Sequence, residues 1–337
     1  MLRSPRLFTS DRNSPDITFP ARDDGAGCEH LPAPPMLDRS HNHAYSADPF
    51  AIMQQDLEIA VVQMSSSEDK HANWNTADRL VRQAADSGAR LVVLPEYFNC
   101  LGDRRVMLQE AEPLDGPTAR FLQDLARTLR IALVGGTFCE QSTDPSRAHN
   151  TCLIINPSGA IQAVYRKLHL FDVDLPGRLT YCESSWLAPG SDVVISEVEL
   201  SAPVDMSAAS GSTTASILTA PAICYDLRFP ELFRRFADRE VALVTVPAAF
   251  TKTTGRDHWE LLCRARAVEN QCFLAASNQT GRHAALETYG HSVIVDPWGE
   301  VLARAGEGEA VLRATLCANR ISEVRAQLPA LRHRRTF

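Results

Sequence analysis

The chain has 337 residues, 45% of them hydrophobic and 22% charged, with a formal net charge of -7. That is enough chain to bury a large core, as one big domain or two modest ones. Its longest apolar run, VALVTVPAAF at 241–250, falls well short of the roughly 20 residues a membrane-spanning helix needs. The Lys and Arg residues lie scattered among acids instead of forming the basic stripe of a general nucleic-acid binder. No membrane or nucleic-acid partner is expected, and a small-molecule partner fits better.

Residues 1–54 are rich in Pro, Asp, Ser, His and Arg and show no sustained periodicity. Such a segment buries too little apolar surface to offset chain entropy, so it is read as a disordered N-terminal extension of a domain over 55–337. Its start, MLRSPRLFTSDR, has the Arg and Ser of a transit peptide, but Asp11, Asp16, Asp23 and Asp24 follow, and transit peptides avoid acids. A cytoplasmic location is expected, with mitochondrial import through this extension as the alternative. The nine cysteines are irregularly spaced, with no C-x-x-C pair, which points to reduced thiols in a reducing compartment.

From there LEIAVVQM (57–64) reads as a strand and NWNTADRLVRQAADSG as a helix that Gly88 stops. LVVLPE (91–96) is a second strand. PTARFLQDLARTLR sets Phe121, Leu122, Leu125 and Leu129 at helical spacing behind Pro117, and IALVGGTF (131–138) reads as one buried strand. CLIINPSGAIQAVYRK closes this half as a hairpin.

The run SAPVDMSAASGSTTAS (201–216) is of low complexity and reads as a surface-loop insertion. The second half repeats the order of the first. PAICYD is a strand, FPELFRRFADR a helix, VALVTVPAAF a strand and DHWELLCRARAVEN a helix with a capping-box-like start at Asp257 and Glu260. CFLAASN is the next strand, and HSVIVDPWGEVLARA a hairpin. Two such halves with no linker between them imply one domain with two central sheets and helices outside.

In open α/β sheets, sites gather beyond the carboxyl ends of strands. Glu96 follows LVVLP, Lys167 follows AVYR and Cys224 follows PAI, ahead of Pro230. A cysteine on a sharp strand-to-helix turn can present its sulfur beside backbone N–H groups. A thiol needs a base, a carboxylate can be that base, and a lysine can face the oxygen on which negative charge develops. The set suits acyl transfer. No H-E-x-x-H or comparable cluster occurs among the ten histidines, so a metal hydrolase is disfavoured, and neither a metal nor another cofactor is expected.

LVVLPEYF, YRKLHLFDVDLPG and AICYDLRFPELF resemble the three signature segments of the nitrilase superfamily, the carbon-nitrogen hydrolases. The likeness runs from about residue 56 to the C-terminus, outside 201–216. It implies a four-layer α-β-β-α sandwich, assembled as a homodimer or higher homo-oligomer, with Glu96, Lys167 and Cys224 as the catalytic triad. It also implies that Glu183, in YCESSWLAPG, orients Lys167. In this reading the backbone N–H of Tyr225 joins Lys167 in holding the oxyanion.

Within the superfamily, AAFTKTTGRDHWELLCRARAVENQC and NQTGRHAALETYGHSVIVDPWGEVLA resemble the amidases of deaminated metabolites. TGRH followed by YGHS, and the ending LPALRHRR, favour the deaminated glutathione amidases over the ω-amidases. Substrates of both types carry an α-keto acid, whose carboxylate suits an Arg fork. Arg228 is the first choice for it. Phe250 and Thr254 match positions that contact the keto-acid end in related amidases, and Arg282 or His283 is placed for a longer tail. The alternative from another class is a member of the fold that binds or scaffolds without turnover, told apart by whether ammonia is released from glutamine-derived keto-acid amides.

Overall fold

The computed structural model describes residues 55–201, 215–284 and 286–335. The expected extension over 1–54 lies outside them, as does most of the run at 201–216.

The first half opens with β1 (Leu57–Gln63) and α1 (Lys70–Asp86), followed by β2 (Leu91–Val93), α2 (Arg104–Gln109), α3 (Pro117–Leu129), β3 (Ala132–Val134), β4 (Phe138–Gln141), β5 (Ala148–Ile155) and β6 (Ile161–Arg166). A hairpin, β7 (Asp172–Leu175) with β8 (Leu179–Cys182), leads to β9 (Ser196–Leu200). The second half holds β10 (Ala215–Pro221), α4 (Pro230–Asp238), β11 (Leu243–Ala248), α5 (Lys252–Asn270), β12 (Phe273–Asn278), β13 (Thr280–Arg282), β14 (Glu287–Tyr289), β15 (Val293–Val295) and β16 (Val301–Arg304). β17 (Ala310–Leu316) and α6 (Arg320–Gln327) end the described chain.

β1, β2 and β3 run parallel, flanked by antiparallel β17 on one side and β5 on the other, with β4 and β6 both paired to β5. The second sheet repeats the plan with parallel β10, β11 and β12, then antiparallel β15 and β16, and β9 at the far edge. Strand side chains alternate between faces. Leu57, Ile59 and Val61 of β1 therefore point to one face and belong to the same core cluster as Ile217 of β10 in the other sheet. Ala60 and Val62 meet Leu80, Val81 and Ala84 of α1 and Leu122 and Leu125 of α3. Leu232, Phe233 and Phe236 of α4 and Trp259 of α5 cover the second sheet. The result is a four-layer α-β-β-α sandwich, and the central strands β2, β3, β11 and β12 are buried on both faces, which is why they read as unbroken apolar runs.

Local chemistry sets the element ends, and here the structure corrects several sequence-based boundaries. α1 starts at Lys70, three residues early, because Asp69 caps it by accepting from Ala72 N–H at 3.0 Å. The stretch 131–138 is two strands, split where Gly136 takes a left-handed φ of +59°. α5 starts at Lys252 behind Thr251, so the expected box at Asp257 lies inside the helix, and Glu260 pairs instead with Arg304 at 2.8 Å. Ala215 and Ser216, expected in the loop insertion, pair in β10 with Leu200 and Glu199. The segment PAICYD leaves its strand at Pro221 and turns.

Candidate active site

Glu96 follows β2 at the inner end of the first sheet and is 1% exposed. Its backbone oxygen accepts from Gln279 Nε2 at 3.0 Å, and the next residue, Tyr97, has a left-handed φ of +56° and donates its N–H to Thr137 Oγ1 at 2.8 Å. Lys167 leaves β6 with its N–H on Asn150 O (2.9 Å) and its carbonyl on Gly190 N–H (2.8 Å), so the backbone beneath the side chain is held on both sides. Glu183 opens a 3-10 turn after β8, and Cys224 opens another after β10. The φ of Cys224 is +46°, a sparsely populated conformation for a residue with a Cβ and one that recurs at functional turns.

These segments, distant in sequence, meet in one buried cluster. Lys167 Nζ donates to Glu96 Oε1 at 3.0 Å and to Glu183 Oε1 and Oε2 at 3.1 and 2.8 Å. Two carboxylates facing one ammonium leave an excess negative charge, which neutral donors hold. Asn150 Nδ2 reaches Glu96 Oε1 at 2.8 Å and Ala249 N–H reaches Oε2 at 2.7 Å. Phe171 N–H and Tyr97 OH do the same for Glu183 at 2.7 and 3.2 Å.

The proton affinities follow from this packing. Burial pushes the Cys224 thiol well above its ordinary value, the Glu96 charge adds to that, and the Lys167 charge opposes it. Burial alone would loosen the proton of Lys167, but Glu183 and then Glu96 together outweigh it and hold the ammonium well above the usual lysine range. Glu183 is raised by burial against the pull of Lys167. The thiol therefore keeps its proton beside an ammonium that keeps its own, an arrangement in which attack and proton removal occur together.

Around Cys224, Tyr225 and Arg228 share the turn, and Phe229 follows it. The Arg228 guanidinium carbon sits 5.3 Å from the Phe250 ring centre and 5.9 Å from that of Tyr225, with Nη2 3.3 Å from His258 Nδ1. No carboxylate pairs with it among the described residues. Thr254 is half-buried in the first turn of α5, its hydroxyl 3.0 Å from that of Thr251. Arg282 does not join this group: it is exposed on β13 and lines a surface hollow with Ser65 to Asp69, Leu101, His283 and Ala284, none of them in the cluster. His283 is occupied by the Ser66 carbonyl and the Thr288 hydroxyl, both at 2.8 Å.

Sequence reasoning passed over Asn150, Tyr97 and the Ala249 N–H. Asn150 carried little signal, since it lies between His149 and Thr151 in the polar start of β5, and of its buried amide only Nδ2 is engaged, on Glu96. The N–H of Ala249 had none, since any residue there supplies the same group.

The carbon-nitrogen hydrolase family matches residues 58–326, and the chain belongs to that family. Among relatives, it is 40% identical over 282 residues to the deaminated glutathione amidase of Homo sapiens, covering 82% of each chain. It is 38% identical over 279 residues to the omega-amidase of Homo sapiens, covering 82% of this chain and 95% of that one. Among solved structures, Saccharomyces cerevisiae Nit3, a member of branch 10 of the nitrilase superfamily, superposes with a TM-score of 0.73 at 32% identity, covering 86% of this chain and all of the other.

Proposed function

We propose that the chain is an amidase that hydrolyses a short α-keto-acid amide through a thioester on Cys224, with deaminated glutathione as the substrate. The observation that carries this reading is the buried contact of Lys167 with Glu96 and Glu183 beside the Cys224 thiol. Relatives named for deaminated glutathione and omega-amidase activity support the keto-acid class.

In the reaction so proposed, Glu96 takes the thiol proton as Cys224 Sγ bonds to the amide carbon, and the carbonyl electrons move to oxygen. Lys167 Nζ and Tyr225 N–H hold that oxyanion. The carbon–nitrogen bond then breaks, Glu96 returns the proton to the leaving nitrogen, and the thioester remains. Water attacks the thioester as Glu96 removes its proton, and collapse frees the keto diacid and the Cys224 thiol. Glu183 keeps Lys167 aimed at the oxyanion. Arg228, boxed between two rings and with no acidic partner among the described residues, suits the substrate's keto-acid carboxylate, with Phe250 against it and Thr254 of α5 assigned to the same end. Arg282, away from the cluster, is left for the tail of a longer substrate. A homodimer in the cytoplasm belongs to the same proposal.

The test compares Cys224→Ala with wild type on deaminated glutathione and α-ketoglutaramate. Loss of a nucleophile is expected to remove turnover by roughly 10⁴-fold or more, and a variant that keeps near-normal rate sinks the reading. A higher kcat/KM for α-ketoglutaramate in the wild type transfers the assignment to the ω-amidase reaction.

A further inference from the structure

Asp226 lies two residues beyond the nucleophile and is fully buried, yet it touches none of the three charged residues of the cluster. Its carboxylate instead accepts four hydrogen bonds. Oδ2 takes Ile223 N–H at 2.8 Å and Tyr165 OH at 2.7 Å. Oδ1 takes His169 N–H at 3.0 Å and His169 Nδ1 at 2.7 Å. The donors come from two places. Ile223 immediately precedes Cys224 and its left-handed turn, while Tyr165 and His169 stand two residues before and two after Lys167. One side chain therefore ties the turn that carries the sulfur to the segment that carries the ammonium. Burial, and then the Asp226 charge, hold the Tyr165 phenol well above its ordinary value, so it stays a donor. The His169 ring stacks on Phe229 at 3.7 Å with an interplanar angle of 7°, which fixes it edge-on to Asp226.

We infer that Asp226 is a positioning residue that sets Cys224 Sγ against Lys167 and Glu96, and that His169 serves it through Nδ1. The inference rests on Cys224 being the nucleophile. His169 is not a proton carrier in this arrangement: its Nδ1 proton is committed to Asp226, and Nε2 has no hydrogen-bond partner among the described residues. The carboxylate suits the task because a charged acceptor shared by four donors is stiffer than any neutral group of its size.

Two amides separate positioning from proton transfer. The side-chain nitrogen of Asn overlays Nδ1 of His, and that of Gln overlays Nε2. The full chain is compared as wild type, Asp226→Asn, Tyr165→Phe, His169→Ala, His169→Asn and His169→Gln. The readouts are kcat and KM for the amide, the melting temperature, and the rate at which iodoacetamide labels Cys224, followed by peptide mass. A misplacement of about an ångström costs on the order of 100-fold, so Asp226→Asn and His169→Ala are expected to lose about that much kcat with KM within about threefold. Labelling slows with kcat. His169→Asn recovers most of both, and His169→Gln does not.

The inference is overturned if His169→Asn is no better than His169→Gln, or if Asp226→Asn keeps its kcat and labelling rate within about twofold of wild type. Should Asp226→Asn fail to fold, the partly exposed His169 series and Tyr165→Phe decide alone. Labelling does not depend on the amide chosen. A wrong substrate assignment therefore appears as a wild type that fails to turn over while the labelling order of the variants is unchanged.

Discussion

Lys167 carries a single positive charge between two carboxylates, and the larger share of its grip on the proton comes from Glu183. Replacing Glu183 by Gln keeps the shape and removes that attraction, while Glu96 still pairs the ammonium and spares the fold an uncompensated buried charge. The hold of Lys167 on its proton then weakens, so the ammonium is lost at a lower pH than in the wild type. Glu183→Gln is expected to lower kcat roughly 100-fold and to move the alkaline limb of the pH–rate profile toward neutrality. An alkaline limb that stays in place would show that Glu183 does not govern Lys167. Of the residues in this cluster, Glu96, Lys167 and Cys224 were legible because each is a reactive side chain at a strand end. Glu183 was not: it follows a short surface hairpin that carries no apolar period, and only family likeness picked it out. Asp226 reads as part of a strand, since nothing in the order of residues shows that three of its four hydrogen bonds come from the two flanks of Lys167 and the fourth from Ile223 beside Cys224.

Elements as well as side chains fix the site, and Gly136 shows how. Its left-handed φ breaks the apolar stretch 131–138 into two strands, and a Cβ there would collide with the carbonyl oxygen of Pro95, next to Glu96. Gly177, at φ +71°, has nothing within 4 Å of such a Cβ. Gly177→Ala should therefore cost only the left-handed strain of about 1–2 kcal/mol. Gly136→Ala carries that strain and the clash, for about 2–4 kcal/mol in urea unfolding, with kcat falling out of proportion because Glu96 is displaced. Equal losses in the two variants would show that the Pro95 contact is slack. The same contact explains a misread boundary. Apolar runs such as LEIAVVQ and VALVTVPAAF announce their strands because both faces are buried. The split at Gly136, like the start of α5 at Lys252, is decided by tertiary neighbours, and composition over a short window does not contain them. The strand β17 and its antiparallel pairing with β1 went unread for a similar reason, since its alternate residues are only partly buried and its partner lies some 250 residues earlier.

At the scale of the molecule, the interior holds more thiol than the proposed reaction uses. Among the described residues, Cys100, Cys139, Cys152, Cys224, Cys263 and Cys272 are buried and free. Burial raises all six, Cys100 to about 11 and Cys272 to about 12. A thiol in the unfolded chain ionises near 9, so above that pH the folded state binds more protons than the unfolded one, and stability falls as pH rises. Below about pH 8 both states hold their thiol protons and this contribution is fully present. For Cys272 the loss amounts to about 1.4 kcal/mol for each pH unit between 9 and its folded value. Several such groups acting together consume a large part of the roughly 5–15 kcal/mol that holds a domain of this kind within one to two units. The protein is expected to melt at nearly constant temperature from pH 7 to 8, then to lose stability steeply, unfolding cooperatively between about pH 10 and 11. Cys272→Ala lowers the melting temperature at neutral pH by opening a small cavity but flattens the alkaline slope by close to one proton, as read from unfolding free energy against pH. If the slope of Cys272→Ala matches that of the wild type, the buried thiol is not what the folded state protects, and the tyrosines Tyr97, Tyr165 and Tyr181, which burial also raises, take over as the source.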